Sequence, residues 1–311
     1  MGKSTFDVIQ ANSYIGPTNR AVTGQVFYVS NSSVLAPNAI AGSNGNDGKS
    51  PQTPFSTIDY AVGQCTASRG DVIYVMPGHV ETVIAAAGLD VDVAGISIIG
   101  IGNGSLRPNV NFTTATTADM DVDAANVYFE NILFTGGVDA LVAPIDVNAA
   151  DCTFYNCEFR DVTGEVVDFV LSDNNADRLQ ILNCVYQGAT GAGTNAGIAL
   201  VGSDDCTIKN LWMDGNFAVG GIDVRTTAVT DLTVSDVVFR TRNAADIFIV
   251  DTITGSTGIV GPNLYLRLQD NAANITEACT GATFVYHNDI SIVNLAGELG
   301  MLTNITASTD A

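Results

Sequence analysis

Positive charge is scarce in this chain: 12 Lys and Arg stand against 33 Asp and Glu, a net charge of −21 at pH 7. A phosphate backbone would be repelled, and no Lys/Arg cluster makes a local exception, so nucleic acid is not an expected partner. Histidine is rarer still, His79 and His287 alone. The six cysteines (Cys65, Cys152, Cys157, Cys184, Cys206 and Cys279) form no CxxC pair. A zinc site is therefore not expected, and no metal or cofactor is. No run of eighteen apolar residues occurs, which excludes a spanning helix. The opening MGKSTFDVIQ lacks a signal-type apolar stretch, and Phe6 stands where myristoylation wants Ser or Thr. The expectation is a soluble product made in a cytoplasm, with no membrane partner.

What is abundant points to strands. Of 311 residues 46% are hydrophobic, enough for a sizeable core in one large domain or two small ones. Thirty-one glycines, and Thr, Asn, Asp, Val and Ile throughout, favour an all-β fold with tight turns.

One motif decides the architecture. VYFENILF (127–134), CTFYNCEF (152–159), LQILNCVY (179–186), CTIKNLWM (206–213), LTVSDVVF (232–239), IVGPNLYL (259–266) and FVYHNDIS (284–291) share an Asn or Asp at the fifth place. These are Asn131, Asn156, Asn183, Asn210, Asp236, Asn263 and Asn288, at intervals of 25, 27, 27, 26, 27 and 25. A sandwich has no reason to repeat one residue type, and its turns come every 8 to 12 residues or so. A third apolar run lies between units: LVAPIDV (141–147), VVDFVL (166–171), GIALVG (197–202), GIDVRT (221–226) and DIFIVD (246–251). Three strands per coil of about 26 residues make a right-handed parallel β-helix, a single-stranded solenoid whose coils stack roughly 4.8 Å apart.

Within a unit, places one, three, six and eight are apolar, the period of strands facing a core on one side. Four cysteines take such places and are expected to be small buried hydrophobes with free thiols. The Asn makes a sharp left-handed corner, and stacked amides are expected to form a ladder from coil to coil. Upstream, DVIYVMPG (71–78) and GISIIGIG (95–102) read as earlier coils. Residues 57–68 read as a short helix with a hydroxyl N-cap, covering the apolar end of the solenoid. The expected division is an arm over 1–39, the β-helix over 40–295 and a tail over 296–311.

NDGKSPQTPFSTIDYAV, then GDVIYVMPG, then the Asn-centred units resemble the pectate-lyase-like superfamily of right-handed β-helices, in particular its bacteriophage-encoded members, over roughly residues 40–295. The resemblance implies the fold. For function it implies a choice among lyases, hydrolases, tailspikes, adhesins and non-enzymatic virion proteins.

Catalytic signatures are thin. Of the NTD, DD, GHG and RIK elements of polygalacturonase-like members, only Asp204-Asp205 and an incomplete Gly78-His79 occur. The nearest approach to a lyase's Arg base with acidic calcium ligands is Arg225 with Asp223, read as an outward ion pair. Asp146, Asp168, Asp223 and Asp251 lie on the third run, where neighbouring coils can bring two carboxylates to glycosidase spacing by chance. GSNGNDGKS (42–50) reads as a surface turn. No catalytic residue is assigned.

The seventh place faces outward by strand alternation and reads Leu133, Glu158, Val185, Trp212, Val238, Tyr265 and Ile290. A mainly apolar stripe marks either a subunit interface or a surface under a terminal arm. The expectation is a non-enzymatic homotrimeric structural protein of a phage particle. It would decorate the capsid, partnered by itself and the major capsid protein or another virion protein, through Leu133, Val185, Trp212, Val238, Tyr265 and Ile290. The alternative is a tailspike or secreted polysaccharide depolymerase, lyase or glycoside hydrolase.

Overall fold

The computed structural model describes residues 14–15, 21–31, 40–163, 165–189, 194–241, 247–268, 277–280, 282–287 and 290–294. Apart from a short antiparallel pair, Tyr14–Ile15 with Ala21–Val22, their strands form three long parallel sheets of ten, nine and eight strands, each complete coil giving one strand to each sheet, in a right-handed parallel β-helix. Tyr128–Glu130, Leu133–Gly136 and Ile145–Val147 make one coil. The next coil lies on it in register, Phe154 on Phe129, Phe159 on Phe134 and Val170 on Ile145.

Stacking places like on like, and the inward rows become continuous columns. Phe129 and Phe154 stack at 4.7 Å with rings 6° apart, and a chain of ring contacts continues through Phe159, Phe169, Tyr186, Phe217, Phe239 and Phe248. All are buried. Each such ring contributes about 1.5–3 kcal/mol by its removal from water. Cys152, Cys157, Cys184 and Cys206 are buried in the same core with free thiols.

The three corners differ. From Tyr128 to Thr241 only one or two residues intervene between first-sheet and second-sheet strands, as Asn156-Cys157 between Thr153–Tyr155 and Glu158–Asp161, or Asp236 alone, whereas the two coils before them have residues 76–79 and 101–108 at this corner. Between second and third strands the connection ranges from the single Asn216 to residues 137–144. The short corner is possible because its Asn or Asp adopts φ of 52–60° from Asn131 to Asn263. That region is costly for β-branched residues and tolerable for Asn.

The amino-terminal end departs from expectation in extent. The helix runs only Ile58–Val62, with Thr57 Oγ1 accepting from Tyr60 N at 3.2 Å, and Ile58, Ala61 and Val62 join the core. The first sheet reaches back past residue 40, because Val26–Val29 pairs in parallel with Val72–Val75. Buried Asp71 ties these parts together: it takes Arg69 Nε at 2.6 Å, Gln25 N at 2.7 Å and Thr66 N at 2.8 Å.

At the far end the repeat slips. Ile259, expected inward, is 42% exposed, and Val260 takes the core place in register with Val234. Gly261-Pro262 adds a residue before the corner, so four steps separate Val260 from Leu264 where three separate Val234 from Val237. Ile290 also moves: it pairs with Leu264, in an inward row, and Ser291 continues the row of Tyr265. The stripe as read from sequence therefore ends at Tyr265. Asn288 and residues 296–311 lie outside the described residues.

Candidate functional site

Three outer faces remain after the core is formed, and the short corner beside two of them carries the Asn residues. Asn156 Nδ2 donates to Asn131 Oδ1 at 3.5 Å, Asn210 to Asn183 at 2.7 Å, and Asn263 to Asp236 Oδ1 at 2.7 Å. At the amino-terminal end of this column Asn131 Nδ2 donates to the carbonyls of Gly100 and Gly102, both at 2.8 Å. A Cβ on Gly100 would meet Asn131 O at 2.2 Å, so only glycine admits that approach. This column ties one coil to the next.

The second sheet's outer face carries the stripe. Leu133, Glu158, Val185, Trp212, Val238 and Tyr265 follow one another on neighbouring strands in register, half-buried except Tyr265, which is 41% exposed. Two residues along, a parallel row reads Thr135, Arg160, Gln187, Asp214, Arg240 and Arg267. The acids of this face are paired. Glu158 holds Arg160 and, at 3.2 Å, Arg107; Asp214 holds Arg240 at 3.3 Å, whose guanidinium lies 5.7 Å from the centroid of the Trp212 ring. At the amino-terminal end a cleft of about 420 Å³ opens between His79, Ser105, Arg107, Asn109, Glu158 and Arg160. His79 itself is buried, its Nε2 2.8 Å from Glu81 Oε2, which also accepts from Ile58 N.

The third sheet's outer face is acidic. Asp90, Asp121 and Asp146 lie on successive strands in register. Asp121 is pushed up to about 6 by burial and then by Asp119, Asp146, Asp123 and Asp90. Asp146 is also pushed up to about 6, by burial and then by Asp119, Asp173 and Asp123. Asp90 is raised for the same two reasons, burial first. The sequence reading missed Asp121, though a signal was there. Leu89-Asp90-Val91, Met120-Asp121-Val122, Ile145-Asp146-Val147 and Ile222-Asp223-Val224 repeat one apolar-Asp-Val pattern, and Asp223 falls in the same register row through Leu171 and Ala199.

The other acids named from sequence do not share that face. Asp168 and Asp251 are buried, at 3% and 0% exposure, and Asp251 pairs in register with inward Val224. Asp223 is only 5% exposed, and Arg225 engages Asp168 more closely than Asp223, which is 3.6 Å away. The expected outward ion pair is thus a largely buried cluster. Burial raises all three carboxyls, against the pull of Arg225 on Asp168 and Asp223. Asp168 Oδ1 and Asp251 Oδ2 make no hydrogen bond among the described residues. Among these residues no group of three or more His, Cys, Asp or Glu is arranged to hold a metal ion.

No protein-family model matches the sequence, and no curated protein is detectably similar to it. Solved structures are similar in fold. A rhamnogalacturonan lyase has a TM-score of 0.47 at 14% identity, over 87% of this chain and 84% of its own. The GH136 lacto-N-biosidase from Eubacterium ramulus has 0.45 at 12% identity, over 86% and 68%. The pectate lyase Pel9A has 0.56 at 15% identity, over 88% of this chain and 78% of its own, so the chain has the parallel β-helix fold of pectate lyase.

Proposed function

We propose that the protein is a polysaccharide depolymerase of the glycoside hydrolase kind, with Asp121 and Asp146 as its carboxyl pair. The observation that carries this reading is their stacking on neighbouring strands with both acids raised to about 6. One strand spacing, about 4.8 Å, is near the roughly 5–5.5 Å between the carboxyls of retaining enzymes and short of the wider gap that inversion needs. Two acids so close share a proton near pH 6. The protonated one donates it to the glycosidic oxygen as the C–O bond breaks, while the ionised one attacks the anomeric carbon. The first then takes a proton from the water that releases the sugar. Assignment of the two roles follows from the substrate's direction across the strands.

Incubation with a panel of neutral and acidic polysaccharides tests it. New reducing ends, lost in both Asp121→Asn and Asp146→Asn with circular dichroism unchanged, are the expected result. Their absence across the panel, or unsaturated products that persist in Asp146→Asn, would remove the proposal. The non-enzymatic reading, a trimeric capsid-decorating virion protein, is favoured by the apolar row Val185, Trp212, Val238 and Tyr265. It requires a trimer by light scattering and no cleavage.

A further inference from the structure

The acid pair leaves the second sheet's outer face without a role, and that face is chemically unlike the acidic face of the third sheet. In a chain of net charge −21, Arg107, Arg160, Arg240 and Arg267 gather on or beside one sheet, where Glu158 and Asp214 are the acids of the two outward rows from Leu133 to Arg267. Trp212 and Tyr265 stand in the neighbouring row, and the cleft between Arg107 and Arg160 lies towards its amino-terminal end.

We infer that this face is a holding surface for a sparsely charged acidic polysaccharide, laid along the solenoid axis from the Arg107–Arg160 cleft to Tyr265. The row fixes the direction, since Glu158, Val185, Trp212, Val238 and Tyr265 occupy five successive strands, a length of roughly 19 Å at one strand spacing each. That length takes several sugar residues, so a chain is held and a monosaccharide is not. Flat apolar sugar faces lie against the Trp212 and Tyr265 rings, and Arg240, fixed by Asp214, keeps the indole in place. Charge spacing sets the class. From Arg160 to Arg240 is three strands, with neutral Gln187 and acidic Asp214 between them. The four arginines exceed Glu158 and the buried Asp214 by two charges, so a polymer with an anion on every unit brings more charge than the face can balance, and one with acids on only some sugars matches it.

The inference rests on the reading that the protein acts on polysaccharide, but its test measures retention, not cleavage. The probes are xanthan, whose acidic sugars are sparse, against neutral dextran, densely charged polygalacturonate and oligo-dT. The assay is affinity electrophoresis, with emission from Trp212, the sole tryptophan, as a second readout. Xanthan is expected to retard the protein and change its Trp212 emission, with retention weakened about tenfold or more in Trp212→Ala and in Arg267→Ala. Asp146→Asn is expected to bind like wild type, so failure of the cutting pair and failure of the holding face are separable. Equal retention by dextran, stronger retention by polygalacturonate or oligo-dT, no retention at all, or undiminished retention in the folded Trp212→Ala protein would each overturn it. So would a Trp212 emission change that tracks protein concentration and self-association without glycan, because the face would then be filled by a second copy.

Discussion

On the second sheet the outward acids come with partners: Glu158 lies between Arg107 and Arg160, and Asp214 holds Arg240. On the third sheet Asp90, Asp121 and Asp146 stack on one another with more aspartates beside them, and their proton affinities rise. The backbone geometry of the two faces is the same, parallel strands in register. What differs is the residue repeated at the outward place, and stacking amplifies it. A paired charge repeated up a solenoid is a polar surface, whereas an unpaired one repeated is a set of coupled acids.

The most severe way to break this contrast is to remove one of the coupled acids. Asp146→Asn is expected to lower polysaccharide cleavage at least about a hundredfold, the scale of a lost acid or base, as followed by reducing-end release. The corresponding change on the paired face should be felt in stability. Glu158→Gln leaves Arg107 and Arg160 without their carboxylate and is expected to cost about 1–3 kcal/mol in urea unfolding. Asp146→Asn should raise the midpoint, because it relieves repulsion. If both variants moved stability the same way, the two faces would not differ as described.

Proton linkage sharpens the same point. Asp121 and Asp146 keep protons in the folded state, up to about pH 6, that the unfolded chain has released above about pH 4. The folded state therefore binds more protons in that window, and melting temperature should rise as pH falls from 7 to 5. Below about pH 4 the trend should reverse, since Asp71, Asp151 and Asp236, all held below the ordinary carboxylate value by their partners, must then be protonated. Asp146→Asn should flatten the upper limb. The smallest expected effect is that of salt: raising it at pH 7 should lift the melting temperature slightly, less so in Asp146→Asn.

The coil and its inward rows were legible because each inward place is filled many times over, and one deviant residue does not hide a period. The slip at Gly261-Pro262 was not legible: the Asn at 263 kept its interval while the strand before it moved by one, exposing Ile259. The fold of the Asp223–Arg225 stretch was read correctly, but its burial was not, because alternation gives a direction and says nothing of what covers it. Asp121 was missed for a simpler reason. The apolar-Asp-Val pattern recurs at only four of the third-sheet strands, with Leu171, Ala199 and Val250 at the same outward place in others, so it marks no period as the corner Asn does.

The unequal corners have a consequence for how such a chain changes over time. From Tyr128 to Thr241 the corner between first and second strands keeps to one or two residues, and where Gly261-Pro262 adds one the phase of a strand shifts. The connection from second to third strand already varies from the single Asn216 to residues 137–144, and the register shift that follows Asn216, between Thr194 and Ala196, is confined to the start of the strand, since Ile198 and Ile222 pair in register beyond it. Insertions there are cheap in closure entropy, each doubling of loop length adding only about 0.6 kcal/mol. In these coils new loops would thus accumulate along one edge of the prism, immediately upstream of the third-sheet strands, so a lineage could alter what reaches an acid such as Asp146 while leaving the scaffold untouched.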